Sequence, residues 1–181
     1  CNDGAQLDAF KALGLHTFGV DPATNLYPVS TAKGHHIHLG MFPITKSTYE
    51  EYDIITAQNV VAHVPDPKYF LEGCAKIMHD NSFLFVATSQ ANMISGIEFD
   101  TIYHEHISYF NTTSMKKLVN RAGLSLVDVF TNPIHGTSYI FVIKKNKLID
   151  PVVKRIEYEQ DLGLFDSSTY KSWVGHCKAK V

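Results

Sequence analysis

The sequence predicts an α/β fold: a mostly parallel sheet that ends in an antiparallel hairpin. Three observations predict it. Short, near-continuous apolar runs at Leu15–Val20, Tyr52–Ala57 (YDIITA) and Ser82–Thr88 (SFLFVAT) alternate with stretches of helical spacing, the pattern of parallel strands covered on both faces. Two later apolar runs, Leu124–Thr131 and Ser138–Lys145, are separated only by Asn132-Pro133-Ile134-His135-Gly136-Thr137. That connection is too short for a crossover and reads as a hairpin. The 181 residues, 45% of them hydrophobic and 19% charged, suffice for one packed core.

Each element has its own warrant. Leu7, Ala9, Phe10 and Leu13 recur at helical spacing and Gly14 stops that helix. Leu15–Val20 runs as a strand into Asp21-Pro22, and Ala23–Ala32 reads as a helix made irregular by Pro28. Ile37–Phe42 is a third short strand, and Ser47–Glu51 a helical turn. After YDIITA and Gln58-Asn59, Pro65-Asp66-Pro67 opens a helix to Met78, and Asp80-Asn81 turns the chain into SFLFVAT. Thr112-Thr113-Ser114 caps a helix that Gly123 ends, and the hairpin follows. Ile149–Asp161 begins a charged helical stretch with sparse apolar residues.

Composition excludes several classes. A net charge of −2 with no basic stripe argues against a dedicated nucleic-acid binder. No apolar run approaches the ~20 residues of a membrane span. Cys1, Cys74 and Cys177 are odd in number and far apart, with no CxxC pair, which supports neither a disulfide framework nor a cysteine zinc site and suits a cytoplasmic compartment.

Two regions carry chemistry. At the carboxyl ends of the strands, where open α/β sheets bind ligands, stand Asp3-Gly4, Asp21 and Gln58-Asn59. A glycine turn lets a ligand approach the backbone, and a strand-end aspartate can accept hydrogen bonds from ribose hydroxyls. Taken singly, these aspartates also read as helix caps and turn formers; together, in this strand order, they favour a nucleoside site. Of a dinucleotide G-x-G-x-x-G only Gly4 is present. The second region is FDTIYHEHISYF, Phe99–Phe110, which sets Tyr103, His104, Glu105 and His106 side by side. It offers a base, a carboxylate to orient it and a phenol to hold an oxygen, the parts for removing a proton next to a carbonyl. Metal ligation and structural hydrogen bonding are the alternatives, and catalysis is the favoured reading. His63 can reach the same cleft or be a plain loop residue. His35, His36 and His38 read as a surface or strand-edge group, and Tyr109 and Phe110 as packing residues.

CNDGAQLDAF and FGVDPA resemble the first two cofactor motifs of class I S-adenosylmethionine-dependent methyltransferases, which have a Rossmann-like fold. AQNVVAHVPDP, FDTIYHEHISYF and PIHGTS together resemble the sugar C-methyltransferases that act on nucleotide-linked 4-keto deoxysugars. The resemblance implies S-adenosylmethionine as cofactor, held by Asp3, Gly4, Asp21 and Asn59, and a nucleotide sugar as substrate. It implies that His63, Tyr103, Glu105 and His106 line the sugar site, with His106 as base, Glu105 orienting it, Tyr103 binding the developing oxyanion and no metal required. His135 and Gly136 match a loop that usually reads His-Gly-Gly-Ser, with Thr137 in place of the second glycine. It also implies that Cys1–Gly4 is the turn after a first strand lying upstream, so that residues 1–146 form a methyltransferase domain lacking that strand. Residues 147–181 would be a helical linker toward a C-terminal domain, and the family's N-terminal zinc module has no counterpart in the chain. Rival readings are an O- or N-methyltransferase and a nucleotide-binding oxidoreductase domain.

Overall fold

The computed structural model describes residues 1–45, 50–90, 93–134, 137–146 and 152–180. The chain forms two compact units, Cys1–Ser47 and Thr48–Val181.

In the first unit, helix α1 (Ala5–Ala12), strand β1 (Phe18–Asp21), helix α2 (Tyr27–Ala32) and strand β2 (His36–Leu39) alternate, and β1 pairs with β2 in parallel. Strand β1 starts later than the apolar run suggests because the exit of α1 consumes Gly14 and Leu15. Gly14, at φ 80, donates its N–H to Lys11 O, and Leu15 donates to Phe10 O, which closes the helix end and leaves Leu15 44% exposed. Helix α2 starts at Tyr27 rather than Ala23, since Pro28 lacks an N–H and fits only the first turn.

The second unit contains β3 (Tyr52–Gln58), α3 (Pro67–Lys76), β4 (Met78–Thr88), a 3-10 turn (Phe99–Thr101), α4 (Thr112–Arg121), β5 (Ser125–Asn132), β6 (Ser138–Lys144), α5 (Val153–Asp161) and α6 (Ser167–Lys180). Its strand order is β3-β4-β6-β5, with β3 parallel to β4 and β6 antiparallel to both neighbours. Three strands therefore run one way and β6 the other. The sheet ends in the antiparallel hairpin that the sequence predicts, with β6 inside the sheet and β5 at its edge. The sequence explains this: SYIFVIK is buried at nearly every position, whereas β5 alternates toward solvent as an edge strand does. Asp80-Asn81 does not separate two elements but lies in an irregularity of β4, where Tyr52 faces Met78 and Ile54 already faces Phe83. Ser82 Oγ spans that gap, donating to Tyr52 O and accepting from His79 N.

One face of the sheet is packed. Leu84, Val86 and Thr88 pair with Ile143, Phe141 and Tyr139, and none of the six is more than 1% exposed. Leu71 and Cys74 of α3 and Met115 and Val119 of α4 complete this core. Full cover of both faces, as the sequence suggests, is not found in this unit: Ile54, Phe83 and Phe130 are 44%, 37% and 52% exposed. Asn111, rather than Thr112, caps α4, accepting from Ser114 N while Ser114 Oγ accepts from Asn111 N. Thr112 is held from afar. The fully buried Glu159 of α5 accepts from Thr112 N at 2.8 Å and Thr112 Oγ1 at 2.5 Å. In α6, Trp173 donates its indole N–H to Met93 O at 3.2 Å. No helix among the described residues is long and apolar enough to cross a membrane. The helical turn expected at Ser47–Glu51 falls mostly outside the described residues.

Candidate active site

In the first unit, side chains shape the loops. Asp3 Oδ1 accepts from Ala5 N at 3.1 Å, and Asn2 Oδ1 accepts from Asp3 N at 2.9 Å. Gly4 is buried at φ 83 at the start of α1, and a Cβ there would meet the His35 ring at 3.0 Å. Glycine suits the turn on both counts, conformation and space. Asp21 ends β1. Its Oδ2 accepts from Asn2 N at 2.7 Å, and its Oδ1 from Ala23 N at 2.9 Å. Burial raises the Asp21 carboxyl, and the donors around it, the Asn2 and Ala23 amides among them, outweigh burial and leave it below the usual aspartate value. The structure thus joins Asp21 to the Cys1–Gly4 turn through Asn2.

A carboxylate offers about four acceptor sites. Among the described residues Oδ1 accepts only from Ala23 N, so it retains room for one ribose hydroxyl. With the side-chain-free turn at Gly4, this donor and acceptor set fits a nucleoside ligand. His35 is not a surface residue. It is 5% exposed, its Nδ1 lies 2.7 Å from Thr17 Oγ1 and its Nε2 2.9 Å from Asp8 Oδ1, and Asp8 also accepts from Lys33. It forms a polar prop beneath Gly4.

In the second unit the arrangement is reversed, and loop carbonyls hold side chains. Asn59, just past β3, adopts φ 51, extends the ladder by donating to Ala87 O, and accepts from Ser89 Oγ at 2.8 Å. The loop after it is stitched to the YHEH segment: Ala62 O accepts from both Ile107 N and Ser108 N. His63 Nδ1 is 3.0 Å from Glu105 O, and His106 Nδ1 is 2.7 Å from Thr101 O. A carbonyl only accepts, so each neutral ring carries its proton on Nδ1 and presents Nε2 as a base.

The rings gather around His106. Its centroid lies 4.4 Å from Tyr103, 4.8 Å from His63 and 6.0 Å from Tyr109. His106 and His63 are half-buried, and Tyr103 is 41% exposed, so the cluster faces solvent where a substrate could enter. Tyr109 packs edge-on against His106, and burial holds its phenol above the usual value. Glu105 does not orient His106. Its exposed carboxylate lies 3.9 Å from His104 Nε2, and its contribution is the carbonyl that holds His63. Thr101 O takes the orienting role, and no side-chain pattern announces a main-chain acceptor. Among the described residues no three His, Cys, Asp or Glu side chains converge as metal ligands would. His135 and Gly136 lie outside the described residues.

Comparison with known proteins settles the family. A family model described as "Methyltransferase domain" matches residues 1–129. The chain belongs to this methyltransferase family. The methyltransferase is 33% identical over 147 residues to the C-methyltransferase NovU of Streptomyces niveus, covering 77% of the chain but only 34% of NovU, so it spans about a third of that relative's length. It is 24% identical over 168 residues to a ubiquinone biosynthesis O-methyltransferase of Hahella chejuensis, covering 84% of the chain and 69% of that protein. Among solved structures, magnesium protoporphyrin IX methyltransferase of Synechocystis PCC 6803, with bound S-adenosylhomocysteine, superposes with a TM-score of 0.64 at 11% identity, over 81% of the chain and 71% of that protein. The methyltransferase thus has the Rossmann-like α/β fold that the sequence predicts.

Proposed function

We propose that this methyltransferase transfers a methyl group to carbon, at a position next to the keto group of a nucleotide-linked deoxysugar. The observation that carries the reading is the His106 ring, fixed through Nδ1 on Thr101 O with Nε2 free among the described residues, and flanked by the Tyr103 phenol and the His63 imidazole. Similarity to a protein named as a C-methyltransferase supports it.

Methylation at carbon needs a carbanion equivalent, which a neighbouring carbonyl makes accessible by spreading the charge onto oxygen. His106 Nε2 removes the proton from that carbon. The Thr101 carbonyl stabilises the imidazolium as it forms, because Nδ1–H is already aimed at it. The Tyr103 hydroxyl donates to the oxygen on which charge develops, and His63 Nε2 can accept a hydrogen bond from a neighbouring sugar hydroxyl. Asp21, Asp3 and Gly4 hold the cofactor's nucleoside and methionine portions, and Asn59 contacts the cofactor. When bound, S-adenosylmethionine supplies an electrophilic methyl group to the carbanion.

An O-methyltransferase is the second reading, favoured by the similarity to the Hahella enzyme. There His106 would take a hydroxyl proton. The two separate cleanly by solvent exchange. The full-length protein, given a nucleotide-linked 4-keto-deoxysugar in D₂O without a reactive methyl donor, washes deuterium into the carbon next to the keto group if the first reading holds. NMR of the methylated product then shows a C–CH₃ signal. Absence of exchange together with an O–CH₃ product overturns it.

A further inference from the structure

We infer that Gln90 is the positioning residue that sets the YHEH segment in its working shape; the inference rests on the reading of His106 as the base. Gln90 stands two residues past the end of β4, is 6% exposed, and spends both ends of its carboxamide on one stretch of main chain. Its Nε2 donates to Ser108 O at 3.1 Å, and its Oε1 accepts from Phe110 N at 3.1 Å. The side-chain amide thereby replaces a strand partner, pairing with the carbonyl before Tyr109 and the N–H after it. It thus fixes the backbone on both sides of Tyr109, the residue whose ring lies edge-on to His106 at 6.0 Å.

The pairing has a wider role. Between the 3-10 turn and α4, residues 102–111 form no regular element, so their backbone groups need partners from elsewhere. Ala62 O serves the amides of Ile107 and Ser108, and Gln90 serves Ser108 O and Phe110 N, one on each side of Tyr109. A buried carboxamide satisfied at both ends is intolerant of change: removing it strands a carbonyl and an N–H, and a displacement of about 1 Å at a reacting group can cost about 10² in rate. Gln90 touches no reacting atom and acts through Tyr109 and the segment that carries His106.

The test compares Gln90→Leu and Gln90→Glu in the full-length protein. Gln90→Leu should lower kcat about 10²-fold with cofactor affinity unchanged, and should speed amide hydrogen exchange at Phe110, Ser108 and Ile107. Gln90→Glu separates a specific hydrogen-bond role from bulk. An ionised carboxylate can accept from Phe110 N but repels Ser108 O, whereas a protonated one both accepts and donates. Its activity relative to wild type should therefore exceed that of Gln90→Leu, with the gap widening toward acid pH. Unchanged exchange at residues 107–110 in Gln90→Leu, or unchanged kcat, overturns the inference. So does a Gln90→Glu profile parallel to that of Gln90→Leu at every pH. His106→Asn, measured alongside, keeps the two ideas apart. If it lowers turnover while Gln90→Leu leaves kcat unchanged, the inference fails and His106 stands as the base. If it leaves turnover intact, the reading of His106 fails, whatever Gln90 does.

Discussion

The two units of this methyltransferase anchor their candidate functional side chains by different means. In the first, carboxylate side chains accept from main-chain N–H groups: Asp3 from Ala5, and Asp21 from Asn2 and Ala23. In the second, main-chain carbonyls hold the histidine rings, Glu105 O accepting from His63 and Thr101 O from His106, and Gln90 is the side chain that holds loop backbone there. Where side chains hold the loop, substituting one changes the loop's shape. Where the loop holds the side chains, substituting one removes a chemical group and leaves the loop standing. The same residue type thus means different things on the two sides, and a carboxylate such as Glu105 can matter for its carbonyl alone.

The contrast can be broken by measurement. The largest effect falls on the second unit. His106→Asn should cut turnover by about 10²–10⁴, with the fold and cofactor affinity intact, as judged by thermal unfolding and calorimetry. A loss of folding would mean that the ring is structural. Next comes Asp21→Ala, which removes charge-assisted hydrogen bonds worth about 1.5–3 kcal/mol. Cofactor affinity should fall about tenfold or more, and hydrogen exchange at the Asn2 amide should speed up. An unaltered dissociation constant would reduce Asp21 to a turn former.

Asp21 also predicts a pH effect. Its folded value lies below the ordinary 3.8, so its contribution is complete above that value and is lost as pH falls through the lowered one. The thermal midpoints of wild type and Asp21→Asn should therefore differ most near neutrality and converge in acid. The smallest effect belongs to Glu105→Gln, which keeps the carbonyl that holds His63. Turnover should be nearly that of wild type, and a loss approaching that of His106→Asn would restore the carboxylate to the catalytic machinery.

Much of this was legible in the sequence, and the exceptions have physical causes. Period-two and continuous apolar runs disclosed β3, β4, β5 and β6, and the short Asn132–Thr137 connection disclosed the antiparallel pairing. The YHEH spelling brought Tyr103 and His106 forward, and the structure puts their rings 4.4 Å apart, with His63 added from 40 residues upstream. What stayed hidden was every contact made by a carbonyl or across a long stretch of chain. Adjacency suggested Glu105 for His106, but neighbouring residues on an irregular segment need not face each other, and the ring turned to Thr101 O. Gln90, His35 and Glu159 look like polar surface residues in sequence; only their tertiary partners make burial tolerable.

The bond between Glu159 and Thr112 has a consequence for the order in which the protein matures. Helix α4 begins directly after the YHEH segment, and its first residue is tied to a carboxylate 47 positions further along the chain. At translation speeds of about 5–20 residues per second, that partner emerges roughly 2–9 s after Thr112. Until then Thr112 N lacks this acceptor, and the YHEH segment is held by its upstream partners Ala62 and Gln90. The strands of the sheet are all made before α5 appears, so the scaffold can consolidate first and the start of α4 last.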